Sequence, residues 1–138
     1  MTADALGAAF ARALAAKDRD ALHALLGDPI DFRALTPGAH WDADDPGEVV
    51  DRIVLGQSFG PGDDIERLLH VATGRVGDRE HLAYRLQVRT GSVRYLVEQQ
   101  VYYSVAGERI AWLRILCSGF RPVPDGEPSE DGSGRRAG

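Results

Sequence analysis

The sequence predicts an α+β domain in which three N-terminal helices pack on a curved, mostly antiparallel sheet. Three observations carry this. Up to Phe59 the apolar residues recur at three- and four-residue steps, the spacing of helix faces. Gly60-Pro61-Gly62 then breaks the chain. From Leu69 onward apolar and polar residues alternate, interrupted by turn residues at Gly77-Asp78, Thr90-Gly91 and Ala106-Gly107-Glu108.

In the first helix Asp4 is the expected N-cap, and Leu6, Phe10 and Leu14 form one stripe with alanines between them. Asp18 offers a second cap for a short helix from Arg19 to Leu26, with Leu22, Leu25 and Leu26 on one face and Gly27 as a left-handed stop. Ile30, Phe32 and Ala34 alternate with Asp31, Arg33 and Leu35, a short edge or near-edge strand that Thr36-Pro37-Gly38 ends. A loop, AHWDADD, leads to the third helix, signalled by Asp45 as cap, Pro46 at the first position and Glu48 reaching back. Val49, Val50, Ile53 and Val54 supply its buried face.

The strands that follow test one another. A two-residue turn at Gly77-Asp78 sets Val71 opposite Tyr84, Leu69 opposite Leu86 and His70 opposite Arg85. A turn at Thr90-Gly91 pairs Val88 with Val93 and Tyr84 with Val97. A three-residue loop from Ala106 to Glu108 pairs Gln99 with Ile115 and keeps Arg114 off the apolar face, where a two-residue turn would place it. All three turns choose one inner face, carrying Leu69, Val71, Tyr84, Tyr95, Gln99, Tyr103 and Cys117 among others. The outer face carries His70, Arg85 and Glu98 as a charge ladder, together with Tyr102, Trp112 and Leu116. That face is more apolar than a solvated surface requires, which points to a second copy of the chain as its partner.

At 138 residues the chain fits one domain. The expected boundaries are residues 1–121 for the domain and 122–138 for a disordered tail rich in Pro, Gly, Ser and charge. A formal charge of -5, with basic residues scattered and not clustered, argues against nucleic acid as a partner. The single cysteine, Cys117, allows no internal disulfide and no usual zinc site, and fits the cytoplasm. No stretch reads as a leader or a membrane span. No cofactor is implied.

Helix, short helix, strand, helix and then a long antiparallel meander resembles the nuclear transport factor 2-like superfamily, shared with ketosteroid isomerases and polyketide cyclase-like proteins. The stretches that carry the likeness are FARALAAKDRDALHALL, RALTPG and the last hairpin ending in GERIAWLRIL, and it extends over roughly Leu6 to Pro122. The resemblance implies a cone-shaped fold, or cystatin-like roll, with a pocket open at one end and pairing of chains through the sheet. Ketosteroid isomerases place an Asp base, a Tyr and a second Asp where this chain has Thr36, Phe10 and Gln99 or Gln100. Relatives of the epoxide-hydrolase type want two Asp and an Arg inside the cone, and no inward strand position supplies an Asp.

Three readings follow. In the first, the chain binds a small, largely apolar molecule, with Trp41, Tyr84, Tyr95, Gln99 and Tyr103 lining the site. A buried primary amide must find partners, and Gln99 is placed to orient a ligand carbonyl or hydroxyl. In the second, the chain is an isomerase, lyase or hydrolase using His40 or a bound water. In the third it is an accessory or dimerisation domain whose filled cone binds nothing. Asp42, Asp44 and Asp45 resemble an acidic metal cluster, but capping accounts for Asp45 and loop exposure for the others, so no metal is expected. Cys117, inward and without a neighbouring cation, is expected to have low reactivity.

Overall fold

The computed structural model describes residues 1–124. Helices α1 (Ala3–Ala15) and α2 (Arg19–Leu25) are followed by a hairpin of β1 (Leu26–Thr36) and β2 (Ala39–Ala43), then helix α3 (Glu48–Ser58). Strands β3 (Asp63–Val76), β4 (Arg79–Thr90), β5 (Val93–Ala106), β6 (Arg109–Cys117) and β7 (Arg121–Pro122) complete the chain. The sheet order is β2-β1-β6-β5-β4-β3, with β7 continuing beside β5. Only β1 and β6 run parallel, so the sheet is mixed. β1 is near-edge, as its length and pattern predict.

The cap of α1 is Thr2, whose hydroxyl accepts from the Ala5 amide at 3.1 Å. Asp4, the expected cap, lies inside the first turn, where its charge faces the positive end of the helix dipole. Asp18 caps α2 as expected, accepting from the Ala21 amide at 3.1 Å. Gly27 is not the stop: Leu26 passes straight into β1, and the left-handed residue of this region is Lys17 at the α1–α2 corner, with φ of 51°. The Lys17 ammonium donates to the carbonyls of Gly60, at 2.6 Å, and Asp63. The chain's one lysine thus ties the helical corner to the start of β3.

Residues 39–43, expected as a loop, are strand β2, which folds back on β1 with Ala34 opposite Trp41 and Thr36 opposite Ala39. An exposed edge strand buries little, so it leaves no apolar alternation to read. In the entry to α3, Asp45 accepts from the Glu48 amide at 3.3 Å. Glu48 does not reach back to the cap; it pairs with Arg52 at 3.4 Å. The helix then winds as a π-helix and ends with the Phe59 amide donating to the Val54 carbonyl at 2.9 Å, five residues earlier.

The expected inner face is correct in its C-terminal strands, and the registers shift. The β4–β5 turn is Gly91-Ser92, one residue along, which moves each pairing by two, so Tyr84 faces Gln99 and Val88 faces Tyr95. The last turn has two residues, Gly107-Glu108, and a bulge beside Val105 restores the parity that keeps Arg114 outside. Gln99 consequently faces Cys117, and Val101 faces Ile115. On β3 the Gly77-Asp78 turn holds, but a bulge at His70, with φ of 55°, shifts the pairing beyond it. Leu68, not Leu69, faces Leu86, and Val71 is exposed. The same bulge sets Leu69, not His70, opposite Arg85, and Arg85 pairs with Glu98 at 3.7 Å.

The core fills the space between helices and sheet: Leu6, Phe10 and Leu14 from α1, Ile53 and Val54 from α3, and Leu82, Leu86, Val97, Val101 and Leu113 from the sheet. The chain stays tied to the sheet through Pro122, and the Val123 amide donates to the Arg94 carbonyl at 2.9 Å. From residue 125 the expected disordered tail lies outside the described residues.

Candidate ligand site at the mouth of the sheet

Alternation along β4, β5 and β6 sends Tyr84, Gln99 and Cys117 inward, and the register sets them side by side in one row across the sheet. Tyr84 is fully buried, and its hydroxyl donates to the Gln99 Oε1 at 2.5 Å. Burial drives the Tyr84 hydroxyl far above the ordinary tyrosine value, so it is a permanent donor. Gln99 is 3% exposed and its side chain makes no other hydrogen bond among the described residues. Its amide donors are therefore open to whatever enters beside it.

Gln99 lines a small cavity of about 10 Å³ together with Thr36, Ser58, Cys117 and the apolar side chains Leu14, Phe32 and Phe59. The space is close to what one water occupies. Thr36, Ser58 and Cys117 also line a second, wider cavity of about 280 Å³, whose other walls are Pro37, Trp41, Gln57, Gly119 and Phe120. Sharing these three wall residues, the wider cavity is termed the mouth and the inner one its floor; Gln99 lines only the floor. Trp41 is held at the mouth by its indole N–H, which donates to the Thr36 hydroxyl at 3.1 Å. Phe120 is braced by Phe59 at 5.7 Å and by Tyr95 at 5.4 Å between ring centres. Among the described residues no Asp, Glu, His, Lys or Arg lines either cavity.

Of the five expected lining residues, Gln99 and Trp41 reach these cavities directly. Tyr84 stands behind Gln99 and Tyr95 behind Phe120. Tyr103 is elsewhere: its hydroxyl donates to the Ala3 carbonyl at 2.7 Å beneath α1. Sequence reasoning missed Phe120, Thr36 and Ser58 as wall residues. Thr36 and Phe120 flank the Pro37 and Gly119 breaks, where chains leave the sheet, and that position was the available signal.

His40 is not near the mouth. It is exposed and lines a groove of about 380 Å³ on the outer face, with Leu35, Tyr102, Arg114 and Leu116. β2 is a strand, so His40 and Trp41 point to opposite faces. A wider cleft, about 670 Å³, lies beside the β1–β2 hairpin and is lined by Asp31, Arg33, Asp42, Asp44, Glu48 and Arg52 among others. Its charges are partly paired, Asp31 with Arg114 at 3.0 Å and Glu48 with Arg52 at 3.4 Å. Among the described residues no group of three or more His, Cys, Asp or Glu is arranged to hold a metal ion. No helix among them is long and apolar enough to cross a membrane.

No protein-family model matches the sequence, and no curated protein does. Solved structures do match the fold. An NTF2-like protein (nuclear transport factor 2-like) from Burkholderia thailandensis superposes with a TM-score of 0.67 at 14% identity, over 86% of this chain and 92% of that one. A candidate polyketide cyclase from Pseudomonas putida gives 0.66 at 16% identity, over 83% and 90%. An LEH-like epoxide hydrolase from M. tuberculosis gives 0.62 at 17% identity, over 83% and 80%.

Proposed function

We infer, from the nuclear transport factor 2-like fold that this chain has, that it binds one small, neutral, largely apolar molecule at the mouth of the cone. The observation that carries this reading is Gln99, a buried amide with free donors on the floor of a pocket that, among the described residues, holds no ionisable side chain but Cys117. The volume of about 280 Å³ is just below the range for ligand sites, roughly 300–1,000 Å³, which limits the ligand to a small molecule. Trp41 and Phe120 supply the apolar walls, and an oxygen on the ligand meets the Gln99 amide. A charged ligand is disfavoured, since nothing in the walls compensates its desolvation.

Catalysis is the weaker reading. General acid–base chemistry needs a group of suitable pKa within reach of the substrate. Thr36, Phe10 and Gln99 or Gln100 occupy the positions where the resemblance implies such groups, and the site offers neither the carboxylates nor the arginine of the epoxide-hydrolase arrangement. The filled-cone reading draws support from the inner cavity of only about 10 Å³, and it places any partner on the outer face. Leu35 at 55% and Leu116 at 51% exposure, flanking the outer groove, support pairing of two copies there.

Mass spectrometry of the purified chain under non-denaturing conditions separates these readings. The ligand reading expects a neutral compound retained by the wild type and lost from Gln99→Leu. Retention unaltered in that variant would sink the role of Gln99; a bare chain whose mouth binds no neutral fragment would favour the filled cone.

A further inference from the structure

We propose that Cys117 is a modification site: a thiol that adds to a small neutral α,β-unsaturated carbonyl compound held in the mouth pocket. The proposal rests on the pocket reading above and goes beyond it. Cys117 is half-buried and lines both the mouth and its floor. It faces Gln99 directly across β5 and β6, so the two side chains leave the sheet roughly 4.5–5.5 Å apart at Cβ. The Gly119 amide N–H points at its sulfur at 3.4 Å, a donor that favours developing negative charge there. The Gln99 side chain gives its oxygen to Tyr84 and keeps its N–H groups for a carbonyl oxygen.

The step balances without a co-reactant. Sulfur forms a bond to the β carbon and the carbon–carbon π pair moves onto the carbonyl as an enolate, whose oxygen the Gln99 amide holds. The thiol proton leaves to solvent, and an equivalent proton arrives at the α carbon. No cation activates the thiol, so the gain over free cysteine comes from holding the two partners together. Size and charge set the selectivity. At ~30 Å³ per water the mouth holds about nine waters' volume, which admits a small cyclic enone and excludes tripeptide thiols and charged alkylating reagents.

The test is intact-mass kinetics of the full chain with 2-cyclohexen-1-one. One adduct is expected, absent in Cys117→Ser, forming at a rate that saturates with enone concentration. At low concentration it should exceed the rate with N-acetylcysteine about tenfold, and saturated cyclohexanone should slow it. A rate linear in enone, no faster than N-acetylcysteine and indifferent to cyclohexanone, overturns the proposal. Cyclohexanone binding to Cys117→Ser, followed at the Trp41 indole resonance, separates the two failures. Binding without accelerated addition sinks the thiol alone, whereas no binding sinks the pocket as well.

Discussion

Gln99 faces inward because the alternation of β5 gives it the same face as Val97 and Val101, and it is tolerated there because Tyr84 supplies a partner across the strand pair. That pairing makes its energetics testable. Replacing one member leaves a buried polar atom unsatisfied, at about 1–3 kcal/mol, while replacing both by apolar groups is nearly neutral. Urea unfolding should therefore show Tyr84→Phe and Gln99→Leu each destabilised, and the double variant more stable than the sum of the two losses predicts. Strict additivity would mean that the pair is not coupled. Tyr103 makes a pH prediction. Burial, with smaller contributions from Glu80 and Asp4, raises its hydroxyl to about 12 from the ordinary 10. The folded state then holds a proton that the unfolded chain releases, so stability is complete below about pH 10 and falls as pH rises toward 12. Stability unchanged between pH 10 and 12 would contradict that burial. The identity and inward direction of Gln99 were legible in the sequence, since parity needs only the turns; its partner was not, because a one-residue shift of the β4–β5 turn moves every pairing by two, preserving parity while changing every pair.

At the scale of elements, the joint between α1 and β5 is the tightest in the molecule that a glycine explains. A methyl at Gly7 would overlap the Tyr103 hydroxyl, which is itself fixed to the Ala3 carbonyl. Gly7→Ala gains ~1 kcal/mol of helix propensity, but overpacking of this kind costs about 1–3 kcal/mol. Net destabilisation is expected by thermal unfolding, and Tyr103→Phe should relieve part of it; a stabilised Gly7→Ala would show that α1 can move off the sheet freely. The winding of α3 was half legible. Val49, Val50, Ile53 and Val54 fit an ordinary helix, and only the five-residue step from Val54 to Phe59 marks the wider turn. The bulges at His70 and near Val105 had no compositional marker, and they account for the register errors on β3 and β6, whereas the β4–β5 error came from the placement of the turn. The outer face remains the expected dimer surface. Trp112 lies between the guanidinium groups of Arg79 and Arg114, at 3.7 and 4.2 Å, and is half-covered already. Leu116 is the more exposed residue and the better probe. Leu116→Glu should shift sedimentation toward a single chain, and an unchanged profile would remove that face as the interface.

For the whole molecule, helix count, the long strands of the meander and the two-faced sheet followed from apolar spacing and turn residues, because those set local geometry directly; the short edge strands β2 and β7 did not. What did not follow is where the sheet leaves open space. The interior is closed by Phe32, Phe59 and Leu14, residues that any core would hold, and the pocket is moved outward to the breaks at Pro37 and Gly119. No local pattern distinguishes a filled cone from a hollow one; the summed volumes of side chains from six elements do. The central claim is thus that binding happens at the mouth, between Trp41 and Phe120, with Gln99 beneath. The chain has two indoles, Trp41 at that mouth and Trp112 on the outer face, so a nitrogen–proton correlation spectrum carries its own control. On titration with cyclohexanone the Trp41 indole signal should shift and saturate while Trp112 stays in place, and Gln99→Leu should abolish the shift. A Trp41 signal that never moves, or one that moves only together with Trp112, would contradict the account.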